Sequence, residues 1–190
     1  MKKLKDYPAI FLDRDGVVNE DIGYFTDPTE LIIPSSSING LRRLYKAGFK
    51  LIIITNQSGI ARGLMTEKDV RFLHNIIFTI LKKYQIILTG IIYCPHHPTD
   101  GTGEYTKECE CRKPSPGMII EAAQKFNIDL KKSYLVGDRF SDIQAGINAG
   151  LKSSILIKSK HKILDHEKKC ASTYCTDLDQ ASEWILQPNN

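Results

Sequence analysis

The sequence predicts a doubly wound (Rossmann-like) α/β fold, a mainly parallel sheet with helices on both faces. Three observations predict it. Short apolar, β-branched runs alternate along the chain with segments of helical periodicity, which is the pattern of βαβ units. Runs such as Leu51-Ile52-Ile53-Ile54 are apolar at every position, as strands covered on both faces must be. Polar residues follow directly on several of these runs, at the carboxyl ends of strands, where ligands bind in such sheets.

The elements follow in order. The first strand is expected over residues 9–12, and it runs into Asp13 and Asp15 with Gly16 behind them. Residues two apart on a strand share a side, so the two carboxylates should face one environment, with a cation to hold them there. A helix over 38–47 is closed by Gly48, and the strand 49–54 runs into Thr55 and Asn56. Thr66 and Asp69 form a capping box that opens a helix over 67–84. The strand 90–93 is followed by an irregular insertion over 94–115. A helix over 116–126 has Ser115 as its expected cap and Pro116 in its first turn. The strand 133–136 leads through Val-Gly to Asp138, and a helix over 141–149 ends at Gly150. Strands over 154–157 and 171–174 and a helix over 178–186 complete the chain. Cys170 and Cys175 lie an odd number apart in the last strand-like stretch, so their side chains would leave opposite faces and both read as structural.

At 190 residues, with 42% hydrophobic and 25% charged, the chain suffices for one sizeable core, and a single domain over 1–190 is expected. The net charge of +4 is scattered. It suits a small anionic substrate, without the basic stripe of a nucleic-acid binder, and a monomer is expected. The N-terminus is positive like a signal peptide, but its apolar run stops after about five residues on an aspartate. No run approaches the ~18 residues of a membrane span. A cytoplasmic location follows, and the five cysteines then read as thiols or metal ligands before disulfides.

Asp13, Asp15 and Asp138, arriving at one sheet edge with Asp142 a turn later, make a hard oxygen set suited to Mg²⁺. In the insertion, Cys94 and His96 precede Cys109 and Cys111, two close pairs that suit a closed Cys₃His zinc site within the loop 94–111. From spacing, His97 could replace His96. The zinc would stiffen a long loop into a wall of the substrate pocket.

The segments DRDGVVN, TNQSGIARG, CRKPSPGM and VGDRFSDIQAGINAG match in order the four motifs of the haloacid dehalogenase superfamily, which the chain resembles from about Ala9 to Gly150. Within it the chain is similar to the heptose bisphosphate phosphatases, with the histidinol-phosphate phosphatases as near relatives. The resemblance implies an Mg²⁺-dependent phosphatase without a large cap domain, releasing the C7 phosphate of a heptose 1,7-bisphosphate through an aspartyl-phosphate on the way to nucleotide-activated heptose. Asp13 would be the nucleophile and Asp15 the general acid and base. Thr55 and Lys113 would hold the transferring phosphoryl group, Asp13, Asp15 and Asp138 the Mg²⁺, and Asp142 would orient a water or cap its helix. The resemblance favours His96 as the zinc ligand.

Substrate recognition would fall to Asp21, Gly23, Tyr24, Thr55, Asn56, Gln57, Ser58, Arg112, Lys113 and Arg139, the last standing where family members carry lysine. Arginine suits a second phosphate because its planar fork grips two oxygens. Histidinol phosphate is the alternative substrate. A non-catalytic phospho-acceptor module of receiver type would carry its aspartate at the end of the third strand, where Tyr93 and Cys94 stand. A polynucleotide 3′-phosphatase would need a basic, aromatic surface that is missing.

Overall fold

The computed structural model describes residues 6–188. The lysine-rich start of the N-terminus lies outside the described residues. The expected sheet forms: six parallel strands in the order β3-β2-β1-β4-β5-β6, with β1 Ala9–Leu12, β2 Lys50–Asn56, β3 Leu88–Cys94, β4 Tyr134–Gly137, β5 Ser153–Ile157 and β6 Thr173–Cys175. The chain winds outward from β1 in one direction through β2 and β3, then returns to β4 and winds the other way. The switch between β1 and β4 splays their loops apart and leaves a crevice above the strand ends.

The apolar strands divide by strict alternation. Ile10, Leu12, Leu51, Ile53 and Val136 pack on one face under α1 Ser35–Lys46, α2 Glu67–Lys83 and α6 Leu178–Ile185. Ala9, Phe11, Ile52, Ile54 and Leu135 pack on the other under α3 Gly117–Phe126 and α4 Phe140–Asn148. At about 25 cal/mol per Å² of apolar surface, these two layers supply most of the drive to fold. The core lies beneath the site and holds its strands rigid.

Several boundaries move, each for a local reason. The helix α1 starts at Ser35, three residues before the apolar periodicity begins, because its first turn is serine: Ser37 is buried with its hydroxyl donated to the Val17 carbonyl. Ser115 does not cap α3; Pro116 occupies the cap position, and no side chain caps the helix. A helix that periodicity could not reveal, α5 Asp165–Cys170, buries no residue. Cys170 therefore ends a helix and is exposed, while Cys175 lies buried on β6; the two do not share a strand. The capping box of Thr66 and Asp69 forms as expected. Among the described residues no helix is long and apolar enough to cross a membrane.

Candidate active site

The strand β1 ends at Leu12, so Asp13 and Asp15 are not placed by strand alternation. Beyond Leu12 the chain folds into a tight loop in which the Val18 and Asn19 amides donate to the Arg14 carbonyl. Gly16 makes this possible, with φ +91°, and a β-carbon there would lie 2.6 Å from Asp138 Oδ2. The turn separates the two carboxylates, and each has its own cation.

Asp13 is held by Lys113. The ammonium donates to Asp13 Oδ1 at 2.6 Å and to the Ile54 carbonyl at 3.0 Å, and it pairs with Asp142 Oδ1 at 2.6 Å. Burial opposes the charge on Lys113, but Asp13 and Asp142 outweigh it and hold its pKa above the ordinary lysine value. Burial pushes Asp13 up to about 8 against the pull of Lys113, with Asp142, Asp138 and Asp15 adding to the rise. One lysine among these buried acids leaves the pocket floor short of positive charge.

The residues present fit a divalent cation. Oxygens of Asp13, Asp138 and Asp142 lie within 4.8 Å of one another, and Asp138 Oδ1 is buried with no hydrogen-bond partner, a costly state that a cation would relieve. Burial also raises Asp138, against the hydrogen bond that Ser159 donates to its other oxygen at 2.7 Å. The carboxylate of Asp15, expected in this set, is not in it: both its oxygens are taken by Arg14, Asn19 and Gln57. Asp142 serves its helix, accepting from the Arg139 amide at 3.0 Å, as well as Lys113.

The strand β2 supplies the second wall. Gln57 donates to both Thr55 Oγ1 and Asp15 Oδ2, at 2.8 and 3.0 Å, tying the hydroxyl to the carboxylate. The Asn56 amide is spent on the Lys113 backbone, donating to its carbonyl and accepting from its N–H, both at 3.1 Å. This pairing seats Lys113, which arrives 57 residues later in sequence.

Every residue expected to meet substrate lines one cavity of about 430 Å³ with the catalytic candidates: Asp21, Gly23, Tyr24, Thr55, Asn56, Gln57, Ser58, Arg112, Lys113 and Arg139. Tyr24 and Ser58 share a hydrogen bond at 3.1 Å across the mouth, and Arg112 donates to the His96 carbonyl at 2.9 Å. Arg14, Arg62, Lys160 and His161 also line the cavity and escaped sequence reasoning. Lys160 and His161 follow β5, so the strand-end rule could have found them. Both pair with Asp21, as Arg139 does. Burial would raise Asp21, but hydrogen bonds from His161, the Gly23 amide and Lys160 hold it to about 2.

The insertion gathers Cys94, His96, Cys109 and Cys111, with ligand atoms within 4.8 Å of one another. Cys94 Sγ lies 3.5 Å from Cys109 Sγ, and His96 Nδ1 lies 3.4 Å from Cys111 Sγ, spacings suited to the edges of a tetrahedron around zinc. His97 is turned away, its Nδ1 accepting from the Asp100 amide at 2.8 Å. The loop docks on the segment after β2, where Thr102 donates to the Ala61 carbonyl and Arg62 pairs with Asp100 at 2.6 Å. It leads into Arg112 and Lys113, so the last residue of the metal candidate, Cys111, stands two positions before Lys113.

Comparison with known proteins agrees with this geometry. Residues 110–181 match the HAD-hydrolase-like family model. The chain is 43% identical over 179 residues to the D-glycero-beta-D-manno-heptose-1,7-bisphosphate 7-phosphatase of Yersinia pestis, covering 94% of this chain and 89% of that protein. It is 44% identical over 151 residues to the D-glycero-alpha-D-manno-heptose-1,7-bisphosphate 7-phosphatase of Photorhabdus laumondii, covering 80% and 82%. Its fold matches the crystal structure of the D,D-heptose 1,7-bisphosphate phosphatase from B. bronchiseptica, complexed with magnesium and phosphate, with a TM-score of 0.78, 32% identity and coverage of 95% and 98%. The strand order, the strand-end site and identity sustained over nearly the whole length agree: the chain belongs to the haloacid dehalogenase-like hydrolases, in the heptose-1,7-bisphosphate 7-phosphatase family.

Proposed function

We propose that this single-domain protein hydrolyses the C7 phosphate of D-glycero-D-manno-heptose 1,7-bisphosphate, a step toward nucleotide-activated heptose. The observation that carries the reading is the division of labour between the two aspartates. Asp13 faces Lys113 and the acidic cluster, where a phosphoryl group and a cation can meet it. Asp15 is turned to Arg14 and Gln57, set aside for proton transfer.

Asp13 attacks phosphorus as the bond to the sugar oxygen breaks, and Asp15 gives that oxygen its proton. Asp15 then takes a proton from the water that opens the aspartyl-phosphate, and Asp13 is regenerated. Lys113 and the Thr55 hydroxyl bear on the equatorial oxygens, where phosphoryl transfer needs positioning and charge more than covalent help. Asp13 and Asp138 would hold Mg²⁺, which supplies the positive charge that lets an anionic nucleophile approach an anionic phosphate. Cys94, His96, Cys109 and Cys111 would hold a structural Zn²⁺. Its Mg²⁺ and phosphate support by likeness come from the B. bronchiseptica enzyme. A cytoplasmic monomer is the form this reading takes.

The test compares phosphate release from the α and β heptose bisphosphates, histidinol phosphate and a 3′-phosphorylated oligonucleotide. Heptose bisphosphate should be turned over best, and Asp13→Asn should abolish turnover by at least about 10³-fold. Efficient turnover of histidinol phosphate alone would move the substrate assignment. Activity surviving in Asp13→Asn would overturn the mechanism.

A further inference from the structure

Two buried polar groups have no part in this mechanism: Arg14 and His74, 2% and 5% exposed. Arg14 sits between the proposed nucleophile and the proposed acid/base and lines the cavity, and its fork is spent on Asp15 and His74. It grips Asp15 at both oxygens, Nε to Oδ1 at 3.0 Å and Nη2 to Oδ2 at 2.7 Å. Its remaining terminal nitrogen, Nη1, lies 3.3 Å from Nε2 of His74, on α2 and 60 residues away. A guanidinium has only donors, so His74 Nε2 must accept, and the ring is neutral with its proton on Nδ1. Burial, with the Arg14 charge adding to it, holds His74 down at about 3, in keeping with that tautomer. The ring is fixed in turn by edge contact with Tyr93 of β3, centroids 5.5 Å apart.

A buried arginine is expensive unless each part of its fork is answered. Here Asp15 answers one edge and His74 the other, so the guanidinium plane has a single orientation. The matching requirement lies at Asp15, which is on a loop and 22% exposed, and must serve two proton transfers at different atoms. The first gives a proton to the departing sugar oxygen as its bond to phosphorus breaks. The second takes a proton from water as the Asp13–phosphorus bond breaks. Both depend on where one carboxylate is held.

We propose that Arg14 and His74 are positioning residues for proton transfer: His74 fixes the Arg14 fork, and the fork fixes Asp15. This rests on the reading of Asp15 as acid and base. It adds a role for a helix α2 residue remote from substrate.

Proton donation matters for an alkoxide leaving group and hardly at all for 4-nitrophenolate, which departs unprotonated. His74→Phe keeps a ring against Tyr93 and removes the acceptor. It should lower kcat for heptose bisphosphate roughly 10- to 100-fold with KM changed less than about twofold. With 4-nitrophenyl phosphate the first turnover should keep its wild-type rate, seen as a burst of nitrophenolate, while later turnovers slow because opening the aspartyl-phosphate still needs Asp15. His74→Gln, which restores an acceptor, should recover much of the loss. Arg14→Lys keeps a cation but not the fork and should repeat the His74→Phe pattern, so it carries the test if His74→Phe does not fold by its thermal melt. Equal loss of the first turnover for both substrates, or no loss for either, would overturn the proposal. Wild-type turnover of heptose bisphosphate, silenced in Asp13→Asn, is measured alongside; failure there counts against the proposed function and not against the positioning.

Discussion

Lys113 answers two carboxylates at once, and its ammonium is almost fully enclosed, with a 3% exposed side chain. Removing it leaves Asp13 and Asp142 buried without their cation. Lys113→Met should lower kcat by at least about 100-fold, measured by phosphate release, and cost about 3 kcal/mol in urea unfolding without Mg²⁺. Added Mg²⁺ should restore part of the stability and little of the rate, because the cation meets the carboxylates but cannot replace the ammonium at the phosphoryl oxygens. Asp21 makes the opposite case, an acid held low by hydrogen bonds from His161, the Gly23 amide and Lys160. Its native pKa, about 2, lies below its unfolded value, so its contribution is present above about pH 4 and is lost as pH falls toward 2. Lys160 and His161 are about half exposed, so solvent screening limits that contribution to about 1 kcal/mol. Urea unfolding at pH 5 and pH 3 should show Asp21→Asn flattening the acid side of the wild-type profile by that amount.

At the level of elements, the ends of the first five strands each deliver a different part. The loop after β1 carries both aspartates, β2 carries Thr55 and ends on Asn56, β3 opens the cysteine loop, β4 ends before Asp138, and β5 leads to Ser159, Lys160 and His161. The cysteine loop is long and irregular, and it ends at Arg112 and Lys113. Cys109→Ser, or chelation, should release about 15 residues from their tie and lower stability by about 3 kcal/mol, by analogy with a covalent cross-link of that length. KM for heptose bisphosphate should rise roughly tenfold, because the pocket wall loosens, while kcat falls less since Lys113 keeps the Asn56 clamp. Thermal melts with bound zinc quantified, set beside steady-state kinetics, check both. Unchanged KM and stability on full zinc loss would show that the loop holds its shape unaided.

At the level of the whole molecule, one six-stranded sheet runs through the described chain, and both core layers cross it. Such a structure should unfold as a unit. Trp184, the single tryptophan, lies on α6 against the core layer shared by α1 and α2. Its fluorescence and the far-ultraviolet circular dichroism should therefore trace one coincident urea transition; an earlier fluorescence change would show α6 detaching first.

The order of the strands, the two-faced apolar runs, the capping box at Thr66 and the candidates after β1, β2 and β4 were legible along the chain, because each is a local pattern of period, cap or turn. The turn of the Asp13–Gly16 loop and the helix α5 were not, since neither carries an apolar period. Which distant side chain serves which site group was beyond local pattern too. Lys113 reaches Asp13 from 100 residues away, His74 reaches Arg14 from 60, and His161 reaches Asp21 from 140. The sequence names the acids and bases, but the charge each one feels falls off with distance through a low-dielectric interior. Only the packed sheet, by bringing separate strand ends within a few ångströms, decides those distances.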